Sequence, residues 1–224
     1  MIPLKDDNPR IIAPVITVGL IVANIIIFLY QMSLGPYENR AFIYTMGIIP
    51  KNFAGLGVTG FPVYSLFTSM FVHGDILHLA GNMLYLWIFG DNVEGIMGHF
   101  RFVIFYILSG LAAALLQILI NVKSGIPMIG ASGAISGVLG AYMVKFPGAR
   151  VSVLIFFFYF IRIIKIPALI VLGFWFLIQL TSGLGAIGMG QQGGVAWFAH
   201  IGGFLAGIFL VKYLARKSIY YWYE

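Results

Sequence analysis

Six apolar stretches, each close to the length of a membrane-spanning helix, constrain this sequence more than any other feature. A helix rises ~1.5 Å per residue, so about 20 residues cross the ~30 Å hydrocarbon core of a bilayer. Of the 224 residues, 61% are hydrophobic and 9% are charged, whereas soluble domains carry roughly 25% charged residues. The sequence therefore predicts an all-α polytopic membrane protein. Its six spans are expected at approximately 11–31, 76–93, 102–120, 132–146, 166–180 and 194–213.

The spans divide the chain into three parts. We expect a cytoplasmic N-terminus at 1–10, a membrane domain at 11–213 and a cytoplasmic tail at 214–224. The first span is long and lacks a following small-residue cleavage site, so we expect it to be retained. A long loop, at about 32–75, separates the first two spans and is expected to be ordered. Segment 151–161 is apolar enough to compete as a span or to lengthen the fifth.

Lysine and arginine are unevenly distributed between the two sides of this topology. With the N-terminus inside, ten of them fall on the inner side, while Arg40, Lys51 and Lys123 fall on the outer side. This asymmetry favours both termini inside. Topology thus accounts for the net charge of +6, and no nucleic-acid partner is predicted. Cysteine is absent, which excludes disulfides and thiolate metal sites.

Among the polar residues within the predicted spans, four stand out because they share one depth. A polar side chain in hydrocarbon costs several kcal/mol unless it is paired or faces water. Counted from the outer ends of their spans, Asn82 and His200 lie ~9 Å deep and Ser132 ~8 Å, with His78 one turn above Asn82. Singly, the serine could cap a helix and the others could join helices. Their shared depth favours a site.

These side chains have the chemistry of a nucleophilic site. Serine becomes an effective nucleophile when a base takes its proton, and histidine is the usual base near neutral pH. Asp75 is the only acid near this depth, so Ser132 and His200 are predicted to form a dyad without a carboxylate. His78, Asn82 and the backbone N–H of Ser132 could donate hydrogen bonds to an oxyanion.

Glycines on the fourth and sixth spans provide a way to bring the dyad together. Gly133 and Gly137 lie four residues apart, as do Gly203 and Gly207. Such small-residue rows allow the backbones of membrane helices to approach closely. We therefore expect the fourth and sixth spans to be in direct contact.

Three motifs, in order, resemble those of the rhomboid intramembrane serine proteases of the prokaryotic six-helix type. They read HLAGN at 78–82, GASG at 130–133 and AHIGG at 199–203, continuing to Gly207. The resemblance implies Ser132 as nucleophile and His200 as base and acid, with His78, Asn82 and the Ser132 amide as oxyanion donors. It also implies supporting roles for Gly130, Gly133, Gly203 and Gly207, a structural role for His73, and Glu94 as the family acid at the inner end of the second span.

The resemblance implies an endopeptidase that cleaves transmembrane segments of other membrane proteins. Such an enzyme would be integral to the plasma membrane, open to its outer side, and need no metal or cofactor. Some family members place an aromatic ring against the base where this chain has Ser136. A catalytically idle relative that acts as a binding or chaperone module is the main alternative. A small-solute channel is a further alternative, although we find no inverted repeat.

Overall fold

The computed structural model describes residues 2–53, 62–157, 160–188 and 194–216, which are mostly helical. In chain order, the described elements are β1 (Ile2–Asp6), α1 (Val15–Ser33), α2 (Pro36–Met46), α3 (Pro50–Phe53), α4 (Ser65–Thr68), a 3-10 turn (Ser69–Phe71), α5 (Ile76–Met97), α6 (His99–Ile120), α7 (Ser132–Lys145), β2 (Arg150–Phe157), β3 (Phe160–Pro167), α8 (Ala168–Gly188) and α9 (Trp197–Leu214).

Four of the described helices are long and apolar enough to cross a bilayer. They are α1, α6, α8 and α9, and they make the chain a multi-pass membrane protein. The other two predicted spans correspond to α5 and α7, which do not meet that standard. Helix α7 has only 14 residues, and α5 carries the polar residues Asn82, Asp91 and Glu94.

Helix α7 lies at the centre of the bundle and packs against α5, α6, α8 and α9. Nine consecutive residues, from Ala134 to Tyr142, are buried, so protein surrounds the helix on all sides. A helix enclosed in this way buries its apolar surface against other helices instead of lipid. Helix α7 can therefore be shorter and less apolar than the ~20 apolar residues that a lipid-exposed spanning helix needs.

The described residues of this apolar segment, 151–157 and 160–161, form part of an antiparallel hairpin and not a span. Strands β2 and β3 pair from Arg150 with Pro167 to Phe157 with Phe160. Strand β1 adds to the other edge of β2, which gives the sheet order β1-β2-β3. Alternating side chains and β-branched residues favour strand pairing here. The prediction of an all-α chain is thus wrong for this small sheet, because an apolar run alone does not distinguish a strand from a helix.

Two irregular regions fall partly inside the described residues. In the long loop between α1 and α5, the elements α2, α3, α4 and the 3-10 turn are ordered, and Ile48 pairs with Met128 ahead of α7. The glycine-rich run 183–194 begins as helix, because α8 continues to Gly188. Residues 54–61 and 189–193 lie outside the described part of the chain.

A buried carboxylate near the C-terminal end of α5 holds the start of α1. The Glu94 side chain, 0% exposed, accepts hydrogen bonds from Ile16 N at 2.9 Å and Thr17 N at 2.8 Å. Thr17 Oγ1 also donates to it, at 2.7 Å. Pro14, which precedes α1, offers no side-chain cap. Glu94 therefore satisfies backbone N–H groups that a helix start leaves unpaired.

The N-terminal strand is fixed to α7 by one hydrogen-bonded pair. Tyr142 Oη donates to Asp6 Oδ2 at 2.5 Å and accepts from Asn8 Nδ2 at 2.8 Å. The phenol ring is fully buried. Burial raises the pKa of Asp6 to about 6 from 3.8, despite the Tyr142 hydrogen bond, which lowers it. Asp6 therefore keeps its proton to a higher pH in the folded protein than in the unfolded chain.

This raised pKa predicts a pH-dependent effect of Asp6→Asn. The folded pKa lies above the unfolded one, so the Asp6 contribution to stability is full below pH 3.8 and is lost as pH rises to about 6. Asparagine stays neutral, so the variant should gain thermal stability relative to wild type at pH 7.5 and gain less at pH 4.5. Melting in detergent at both pH values measures this. An equal difference at both pH values would contradict the raised pKa of the buried Asp6.

Candidate active site

Ser132 and His200 are in hydrogen-bond contact. Ser132 is the first residue of α7 and His200 the fourth residue of α9, and Ser132 Oγ lies 2.9 Å from His200 Nε2. Helix α9 begins at Trp197, three residues later than the start of the predicted span. His200 therefore lies about one turn into its helix, whereas Ser132 is the first residue of its own.

The backbones of α7 and α9 touch at the predicted glycines. A Cβ atom on Gly203 would collide with the carbonyl oxygen of Gly133, and one on Gly207 with that of Gly137. A Cβ on Gly140 would strike the Phe204 carbonyl. On each helix these contacts lie within about two turns of Ser132 or His200. Only glycine permits this helix separation, which sets the distance between the serine and the imidazole.

His78 and Asn82 of α5 lie against the turn that leads into Ser132. Gly130 has φ +115°, a conformation that other residues rarely adopt. A Cβ placed there would lie 2.7 Å from His78 Nε2 and 3.5 Å from Asn82 Nδ2. The missing side chain of Gly130 thus lets both polar groups approach the backbone two residues before the serine. Their side-chain nitrogens face the same space as the Ser132 hydroxyl.

The amide of Asn82 is oriented by His73, which precedes α5. Asn82 Nδ2 lies 3.0 Å from His73 Nε2, and burial lowers the pKa of His73 to about 4. Its ring is therefore neutral near pH 7, and Nε2 accepts from the amide. Gln31 holds the His73 backbone, because Gln31 Oε1 accepts from His73 N and Gln31 Nε2 donates to His73 O. One Asn82 N–H remains for the cavity.

The sequence analysis missed two residues of α8 that flank the histidine. Gln179 Oε1 lies 2.8 Å from His200 Nδ1, and the Trp175 ring lies 5.9 Å from the imidazole at an angle of 37°. Trp175 thus places an aromatic ring beside His200, although this chain has Ser136 where some family members carry the aromatic residue. The signal for Gln179 was present, since an amide in an apolar span meets the criterion that selected Asn82.

Asp75 has a structural role away from the imidazole. Its carboxylate accepts a hydrogen bond from His78 N at 2.8 Å and caps the start of α5. In the part of the chain that the structure describes, no acidic side chain is hydrogen-bonded to His200. The assignment of Ser132 and His200 as a catalytic dyad without a carboxylate stays a prediction.

A cavity of about 680 Å³ contains this cluster. Ser132, His200, His78 and Asn82 line it together with apolar residues of α5, α7, α8 and the segments before α7 and α9. Apolar walls around a few converging polar groups are typical of ligand sites. The apolar lining includes Leu77, Tyr85, Met128, Ile129, Ile135, Leu139, Trp175 and Val195.

A family model described as a rhomboid domain matches residues 61–217, which contain every residue of this cluster. The chain belongs to the rhomboid family. The same residues include α5 to α9 and both glycine rows. Family membership thus covers the whole candidate site.

Known rhomboid proteins match about two thirds to three quarters of the chain. Rhomboid protein 1, mitochondrial, of Saccharomyces cerevisiae is 29% identical over 157 residues, which are 68% of this chain and 42% of the yeast protein. RHOMBOID-like protein 6, mitochondrial, of Arabidopsis thaliana is 32% identical over 75% of this chain and 48% of its own length. RHOMBOID-like protein 1 of the same plant is 34% identical over 66% and 33%. This rhomboid thus spans from a third to about half of these relatives.

The contact between α7 and α9 predicts that Gly203→Ala is destabilising. The new methyl group meets the Gly133 carbonyl, which is backbone and cannot rotate away, so the helices must separate at a cost of about 1–3 kcal/mol. The expected result is a lower melting temperature in detergent. Gly173→Ala is the matched control, because Gly173 lies in α8 and has nothing within 4 Å of its added Cβ. Equal melting of the two variants would contradict the close helix contact.

Proposed function

We propose that this rhomboid is an intramembrane serine endopeptidase that cleaves transmembrane segments of other membrane proteins. The observation that carries the proposal is the 2.9 Å contact between Ser132 Oγ and His200 Nε2 at a shared cavity. This is the hydrogen-bond reach that a serine nucleophile and its base require. A catalytically idle relative has no need to preserve that contact.

In the proposed reaction, Ser132 Oγ attacks the carbonyl carbon of the scissile peptide bond while His200 Nε2 takes the hydroxyl proton. The imidazolium then gives this proton to the leaving amine, the C–N bond breaks, and an acyl-enzyme remains. Water attacks the acyl carbon as His200 accepts one of its protons. The proton returns to Ser132 Oγ as the ester bond breaks, which regenerates the dyad.

The negative charge on the tetrahedral carbonyl oxygen would be held by three donors. The Ser132 backbone N–H is free for this role because it lies at the first position of α7, where a helix leaves such groups unpaired. The Asn82 amide and the His78 ring face the same space beside Gly130. Donors fixed before the reaction stabilise developing charge at little reorganisation cost.

A six-span arrangement follows if α5 and α7 also cross the bilayer. We assign the site to the outer half of the membrane, because the lysine and arginine asymmetry places both termini on the inner, cytoplasmic side of a plasma membrane. Hydrolysis needs water, and the cavity with its polar groups provides a place for it inside an otherwise apolar bundle. A substrate helix must unwind locally to present its carbonyl there.

The proposal predicts that Ser132→Ala and His200→Ala each abolish cleavage. Purified variants are reconstituted in vesicles with a model single-span substrate, and the products are followed by gel and mass spectrometry. Loss of either partner should remove activity to the same degree, because a nucleophile and its base act as one unit. Normal cleavage by either folded variant would contradict the proposed function.

The same assay distinguishes the oxyanion donors from the dyad. Asn82→Ala should slow cleavage by ~10² to 10³, the usual effect of removing one such donor, without abolishing it. Leu77→Ala provides a control on the cavity wall, since Leu77 lines the cavity without a polar group. Unchanged turnover in Asn82→Ala would exclude that amide from the site.

A further inference from the structure

Gln179 makes a hydrogen bond with Nδ1 of His200, the ring nitrogen that does not contact the serine. The glutamine is 5% exposed, and its Oε1 lies 2.8 Å from His200 Nδ1. Its Nε2 donates to the backbone carbonyl of Trp175, one turn earlier in α8, at 3.3 Å. That second bond assigns the amide, because only the nitrogen of a carboxamide can donate to a carbonyl oxygen. The amide oxygen must therefore face the imidazole.

This orientation determines the imidazole tautomer. A carbonyl oxygen has no proton to donate, so its partner Nδ1 must carry the hydrogen in the Gln179–His200 bond. In neutral histidine the other ring nitrogen, Nε2, is then the unprotonated acceptor. Nε2 is the atom 2.9 Å from Ser132 Oγ. The glutamine thus selects the form of histidine that can take a proton from the serine.

Trp175 restricts the ring in a second way. Its ring lies 5.9 Å from the imidazole, and Trp197 approaches from the start of α9 at 6.3 Å with nearly perpendicular rings. Trp175 and Gln179 are four residues apart, so they lie on the same face of α8. One face of α8 thus fixes both the ring plane and the proton position of the histidine.

We propose that Gln179 is the positioning residue of His200, a neutral third member behind the Ser132–His200 pair. The role rests on the proposed protease function, in which His200 must accept a proton at Nε2. A carboxylate in this position would also stabilise the imidazolium by its charge. A carboxamide supplies orientation and tautomer selection alone, which suits a site enclosed by apolar helices, where a buried charge is costly.

Gln179→Leu tests this role by removing the acceptor while keeping an apolar side chain of similar size. The expected fall in kcat is about five- to tenfold with KM unchanged, which corresponds to the loss of one neutral hydrogen bond. Gln179→Glu keeps an acceptor oxygen at the same reach and should restore most of the rate. An unchanged kcat in a folded Gln179→Leu protein would overturn the proposal.

The histidine ring ¹⁵N spectrum reports the tautomer directly, and the His200 signals are identified by their loss in His200→Gln. At pH 7.5 the wild-type ring should carry its proton on Nδ1, and Gln179→Leu should add a form protonated on Nε2. Because this spectrum needs no turnover, it tests the Gln179–His200 bond even if no substrate is cleaved. Protonation on Nδ1 alone in both proteins would overturn tautomer selection by Gln179.

Gln117→Leu is the matched control for a general loosening of α9. Gln117 Oε1 accepts from Ala199 N at 3.2 Å, so it supports the chain next to His200 without contact to the imidazole. If Gln179 acts on the ring, Gln117→Leu should keep the wild-type tautomer and lose less than threefold in kcat. The same tautomer change in both variants would show that helix position, and not the Gln179 amide, sets the ring.

Discussion

The backbone contact between α7 and α9 is the interaction on which the rest of the site depends. Gly203 and Gly207 lie directly against the carbonyl groups of Gly133 and Gly137, so the helices approach as closely as two backbones can. Ser132 comes directly before Gly133, and His200 lies three residues before Gly203. Their 2.9 Å separation follows from the helix spacing. This spacing matters for the proposed reaction, because a shift of ~1 Å between reacting groups can cost about 10²-fold in rate.

Other helices then orient what the α7–α9 pair brings together. Helix α5 presents His78 and Asn82 to Gly130, and the Gln31–His73 bonds hold the segment that orients Asn82. Helix α8 holds the imidazole from behind through Gln179. At the opposite end of the bundle, Glu94 and Tyr142 join the N-terminal segment to α5 and α7. The site is thus a polar layer inside a bundle that is fixed at both ends.

Sequence reasoning was strongest where a pattern reflects a local constraint. The starts of α5 at Ile76 and of α7 at Ser132 coincide with the predicted spans, because Asp75 caps one helix and Gly130 turns the chain before the other. The spacing of the glycines predicted the α7–α9 contact, because close approach of two helices requires small residues every fourth position. The pair Ser132 and His200 followed from polarity inside apolar segments.

The remaining features depend on tertiary contacts that no local pattern specifies. Strand β2 is as apolar as part of a span. Its pairing with β1 and β3 distinguishes it from a membrane helix. Gln179 resembles any interhelical amide until α8 is placed beside α9. Helix α9 begins at Trp197, three residues later than the apolar run predicts, and the role of His200 stays a prediction.

Covalent labelling by a fluorophosphonate probe tests most directly whether His200 activates Ser132. Such probes phosphonylate a serine only when a base removes its proton, so labelling needs no knowledge of the substrate. The account predicts that mass spectrometry finds the adduct on Ser132 in the wild-type protein and none in folded His200→Ala, which retains the serine. Adduct formation at Ser132 at an equal rate in His200→Ala would contradict the account.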